Sequence, residues 1–79
     1  MENAKITLES LAPGQSARVL ALELPPAEAQ RLMEMGMTPG STVKVLKRAP
    51  LGDPIEIFVR SGHLSIRNSI ARAITVNLA

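Results

Sequence analysis

Between residues 55 and 67 the chain alternates apolar and polar side chains with a period of two. Ile55, Ile57 and Val59 fall on one face, and Glu56, Phe58 and Arg60 on the other. After Ser61-Gly62 the pattern resumes with Leu64 and Ile66 inside and His63, Ser65 and Arg67 outside. Such alternation marks strands with one buried face, so the segment predicts a β-hairpin. Placing Arg60 opposite His63 across the turn aligns Val59 with Leu64 and Ile57 with Ile66. It also sets Glu56 against Arg67 as an opposite-charge cross-strand pair.

The rest of the chain reads as further strands and one helix. Ala17–Leu22 is an apolar run of strand length, and its poor alternation predicts a strand covered on both faces. Ser41–Arg48 is a strand, and Ile74, Val76 and Leu78, interleaved with Thr75 and Asn77, form a closing one. Pro25-Pro26 opens a helix, with Glu28 near its positive dipole end. Ala29, Leu32, Met33 and Met35 or Gly36 trace its inner face, Gly36 caps it in the left-handed region, and Pro39 lies beyond. Pro13-Gly14 and Pro39-Gly40 are turns. Thr7–Leu11 is one turn with two leucines packed inward, and Asn68–Arg72 is a turn of helix with Asn68 as its cap. These elements predict a mainly β fold: a small antiparallel barrel of about five strands with one inserted α-helix over about residues 26–35. Residues 1–79 form a single domain.

Composition narrows the possibilities. Seventy-nine residues support only a thin core, and with no cysteine neither a disulfide nor a thiolate metal site can reinforce it. At 46% the apolar content is that of a folded globule, yet no apolar run approaches the ~20 residues of a membrane span. Met1–Lys5 lacks the basic-then-apolar pattern of a secretory signal, and the chain reads as soluble and compatible with the cytoplasm. Charge is unevenly placed. Residues 1–39 carry three cations against five carboxylates, whereas residues 40–79 carry six against two. That half could steer the domain towards an acidic surface, although scattered charge commonly does no more than solvate strand faces.

Candidate chemistry is sparse. Gly36-Met37-Thr38-Pro39-Gly40-Ser41-Thr42 has three residues between its glycines and no lysine, so it reads as a helix cap and a turn rather than a phosphate-binding loop. Met33, Met35 and Met37 could offer thioethers to Cu(I), but on a helix Met33 and Met35 point in different directions, and unbranched methionine suits core filling better. His63 is the only histidine; with Glu56 and Asp53 it makes at most a weak surface site for an adventitious Zn²⁺. No serine has a neighbouring base and no pair of carboxylates stands out, so an enzyme is not expected and no cofactor is called for. Nucleic acid is the competing partner class for a small basic barrel. One phenylalanine, however, is too few for a base-stacking platform.

Four separated motifs carry a resemblance over nearly the whole chain. Leu11-x-Pro13-Gly14 precedes a strand, followed by Arg31-Leu32-x-x-Met35-Gly36-Met37-x-Pro39-Gly40. Ala49-Pro50-Leu51-Gly52-Asp53-Pro54-Ile55 and Leu64-Ser65-Ile66-Arg67 come next, with an Ala-x-x-Ile-x-Val ending at Val76. In this order and spacing they resemble the FeoA family, the small cytosolic component of bacterial ferrous iron transport. The resemblance implies an SH3-like barrel and a non-catalytic role beside FeoB, a membrane iron permease with a cytosolic G-protein domain. It implies a location at the inner face of the membrane through FeoB, with no insertion of its own. It marks Met35, Met37 and the loop Leu51, Gly52, Asp53 and Pro54 as partner-contact positions. Modulating GTP hydrolysis, gating the permease and assembling the complex are all compatible with it. A homologous domain ends some iron-dependent repressors, so an iron-regulator-type interaction module is the alternative, alongside a nucleic-acid binder. The lack of a preceding winged helix favours the stand-alone protein.

Overall fold

A computed structural model describes residues 6–60 and 62–78; the expectation for Met1–Lys5 lies outside them. The chain runs β1 (Ile6–Thr7), a 3₁₀ turn (Leu8–Ser10), β2 (Ser16–Leu22), α1 (Pro26–Glu34), β3 (Thr42–Arg48), β4 (Ile55–Val59), β5 (Gly62–Ile66), α2 (Asn68–Ala71) and β6 (Ile74–Leu78). All strands pair antiparallel in one sheet ordered β1-β6-β2-β3-β4-β5. The five expected strands are present, and the two-residue β1 adds a sixth that is too short to announce itself by pattern.

Inward residues of five strands, among them Val19, Val45, Ile57, Ile66 and Val76, join Leu8, Leu11 and Ala71 in a single apolar cluster. No described polar or charged residue is buried. One sheet can enclose this core because it bends. Register shifts interrupt β2 between Val19 and Ala21 and β3 between Val45 and Lys47, and each such bulge adds local twist and bend. The first explains the irregular alternation of Ala17–Leu22. That strand is not covered on both faces. Ala17 and Val19 point inward, and Leu20, the extra residue, is exposed.

The hairpin forms in a different register from the one expected. Val59 pairs with Gly62, Phe58 with His63, Ile57 with Leu64, Glu56 with Ser65 and Ile55 with Ile66. Gly62 therefore belongs to β5 at φ +126°, a conformation that glycine adopts without strain. Ser61, the other expected turn residue, lies outside the described residues. Both registers keep the same faces, because displacing a partner by two residues moves no side chain across the sheet. Alternation could not choose between them, and the Glu56–Arg67 pairing does not form.

At the end of α1 the chain makes a Schellman motif. Gly36, at φ +102°, donates to the Met33 carbonyl, and Met37 donates to that of Leu32, both at 3.0 Å. The reversal swings Met37 inward to complete burial. Ala29 is buried and Leu32 half-buried, but Met33 and Met35 remain exposed, which narrows the expected inner face of the helix.

Candidate functional site

The connection between β3 and β4 is held from beneath while its crest stands in water. The Gly52 N–H donates to the Ala49 carbonyl at 2.7 Å, closing a turn over Pro50-Leu51. The Ala49 N–H donates to the Pro54 carbonyl at 3.0 Å, closing the base, and the Asp53–Pro54 peptide is cis. Leu51 at the crest is 95% exposed.

Arg48, the last residue of β3, supplies most of the support. Its Nη2 donates to the Leu11 carbonyl at 2.9 Å and to that of Glu9. Its Nη1 donates to the Gly52 carbonyl at 3.4 Å and to Asn68 Oδ1 at 3.5 Å. Asn68 Nδ2 also donates to the Gly52 carbonyl, at 3.1 Å. The Asn68 side chain thus does not cap its own helix. That role falls to Asp53, whose Oδ1 accepts the Asn68 N–H at 2.9 Å. One planar guanidinium and one amide join the 3₁₀ turn, the loop and α2, an arrangement suited to the fixed fork of arginine. Nothing in the sequence distinguishes Arg48 from its charged neighbours.

Beside this network Arg72 grips Glu9 with two bonds, Nε to Oε1 and Nη2 to Oε2, each 3.1 Å. These bonds hold the Glu9 carboxyl below its ordinary value. Desolvation opposes them, and the positive charges of Arg72 and Arg48 reinforce them. The same hydrogen bonds and the Glu9 charge raise the Arg72 guanidinium.

The structure brings Leu51, Gly52, Asp53 and Pro54 together in one loop, but it engages them differently. The Gly52 carbonyl and the Asp53 carboxylate are used within the fold. Leu51 presents its whole side chain outward. Met35 is exposed at the end of α1, before β3 begins, whereas the loop follows the end of β3. Met37 is corrected from a contact position to a core residue: it is 0% exposed, and the Schellman turn puts it there. The residues named for a metal do not converge. His63 lies on the outer face of β5 against Phe58, edge to face with ring centroids 5.5 Å apart. Glu56 is opposite Ser65, and Asp53 holds the start of α2. Among the described residues no three His, Asp or Glu side chains gather as a metal site.

This fold is mainly β: six antiparallel strands in a bent sheet with one inserted helix. The FeoA domain model matches residues 6–78, and the chain belongs to that family. The solution structure of the FeoA protein from Chlorobium tepidum superposes with a TM-score of 0.88 at 40% identity, covering 92% of this chain and 70% of that one. Stenotrophomonas maltophilia FeoA, a prokaryotic SH3 domain protein solved with zinc, gives 0.75 at 30% identity and covers 91% and 89%. The expected SH3-like architecture is thereby shown. A curated relative, the Fe(2+) transport protein A/Fe(2+) transporter FeoB fusion protein of Porphyromonas gingivalis, is 32% identical over 71 residues. That match spans 90% of this chain but 8% of the relative's length.

Proposed function

We propose that this domain is a non-catalytic accessory of ferrous iron uptake that docks on the cytosolic part of FeoB. One observation carries the reading: in the Porphyromonas relative a segment similar to this chain is joined to FeoB in one polypeptide. Fusion keeps two modules at high effective concentration, which benefits modules that work in contact. Separate chains need an interface to achieve the same. Such a role locates the domain in the cytoplasm, at the inner face of the membrane, and asks no metal of it.

Leu51 is the anchor in this reading. A leucine held out by a pinned loop loses little conformational freedom on binding, and interface energy concentrates in a few such side chains. Met35 is a secondary contact. The test is calorimetric titration of the cytosolic part of FeoB with the wild-type chain and with Leu51→Ala. The variant is expected to melt as wild type while binding weaker by about 1–2 kcal/mol. Unchanged affinity would remove Leu51 from the interface, and no binding by wild type would remove the reading itself.

A further inference from the structure

At the other end of the β3–β4 pair from Leu51 lies a groove of about 620 Å³, walled by the turn Thr38–Thr42 on one side and Phe58–Arg60 on the other, with Lys44 between. With β3 seven residues long, the two features are separated by roughly 20 Å of strand. Three observations set this groove apart. The first is charge. Lys44 and Arg60 line it, and Arg18 stands on the adjoining strand, directly opposite Thr42. All three cations are exposed and, among the described residues, none makes an ion pair and no carboxylate lines the groove. The second is Phe58. The only aromatic residue of the chain is kept on the outer face, 47% exposed, between Lys44 on one strand and His63 on the next. A ring left there adds little to the core, and its exposed part is an apolar platform beside positive charge. The third is rigidity. The Gly40 N–H donates to the Val19 carbonyl at 2.7 Å, the Val19 N–H to that of Ser41 at 2.9 Å, and the Ser41 N–H to that of Thr38 at 2.9 Å. The Thr38 and Ser41 hydroxyls are 2.6 Å apart. The wall is built before anything binds, which lowers the ordering cost of binding.

We propose that this groove docks an acidic segment of the protein partner, in which Asp or Glu side chains flank an apolar residue that lies on Phe58. The proposal rests on the docking reading above and names a second surface for it. Charge complementarity selects the occupant. Carboxylates meet Lys44, Arg60 and Arg18, while the apolar residue uses a ring that a bare anion would leave uncovered. A nucleic acid would need several stacking rings along its strand, and here there are only Phe58 and His63, packed edge to face on each other. Charges of this exposed kind speed encounter and fix orientation, so their effect is sensitive to salt.

The test measures association of the cytosolic part of FeoB with the full chain at about 50 and about 300 mM NaCl, a range over which exposed charges become screened. Wild type, Lys44→Glu/Arg60→Glu, the milder Lys44→Gln/Arg60→Gln and Phe58→Ala are compared, with Arg67→Glu, an exposed cation outside the groove, as control. Thermal melting confirms that each variant is folded. The reversal is expected to weaken binding about tenfold or more at low salt and to remove most of the salt dependence. The neutral pair is expected to show a smaller loss of the same sign, Phe58→Ala a loss of about fivefold, and Arg67→Glu no change. Wild-type binding that the reversal leaves intact would overturn this inference and spare the docking reading. No wild-type binding would overturn both. Binding of a 20-nucleotide single strand that the reversal abolishes would assign the groove to nucleic acid and overturn the proposal.

Discussion

Arg48 offers the sharpest test of the physical account. Arg48→Met keeps most of the aliphatic stem and removes the guanidinium. Four acceptors lose a donor: the carbonyls of Glu9, Leu11 and Gly52, and Asn68 Oδ1. A hydrogen bond from a charged donor contributes about 1.5–3 kcal/mol when well formed. The two bonds from Nη1, at 3.4 and 3.5 Å, are long and count for little. Arg48 is also only half-buried, so water can replace part of what is lost. The expected cost is about 2–4 kcal/mol, against about 4–12 kcal/mol for the whole domain. At this size that corresponds to a fall in Tm of roughly 10–25 °C, measured by calorimetry or circular dichroism. Arg48→Lys should fall between the two, because an ammonium keeps the charge but cannot serve carbonyls on both sides at once. Backbone amide exchange at Gly52 should accelerate in both variants, since the loop loses its support. A Tm within about 3 °C of wild type would refute the reasoning. Arg48 would then be an ordinary surface charge, whose substitution typically costs less than about 0.5 kcal/mol.

Two further outcomes are expected. Met37→Ala should cost about 2–5 kcal/mol in urea unfolding, as deletion of a fully buried side chain does; a cost below about 1 kcal/mol would place Met37 at the surface after all. The Glu9–Arg72 contact should weaken in acid. Because the folded state holds the Glu9 carboxyl below its ordinary value of 4.5, its contribution is complete above that value and is lost as pH falls through the lower folded one. Arg72→Gln should abolish this part of the acid limb of the stability–pH curve, and an unchanged curve would count against the contact.

Much of the architecture follows from local rules that act on neighbouring residues. Proline in the first turn of α1 and glycine just beyond its end bound that helix. Period-two alternation marks β4 and β5, and the proline–glycine pairs place the turns. These signals also sufficed to recognise the family, because its motifs are largely the same turn and cap residues. The exposure of Leu51 was legible too, since a leucine between proline and glycine in a short connection has no periodic pattern to draw it inward.

What the tertiary structure decided depends on groups that meet across the chain. Side-chain period leaves hairpin registers differing by two residues equivalent, and the observed one, Val59 opposite Gly62, was not legible from it. The burial of Met37 depends on where the Schellman reversal aims the chain, whereas spacing along an ideal helix would have put it on the same face as the exposed Met33. The joining of Arg48 with the 3₁₀ turn, Gly52 and Asn68, and the setting of Lys44, Phe58 and Arg60 around one groove, unite residues far apart in sequence. Their chemistry was visible from the start. Their proximity exists only once a bent sheet brings the strands together.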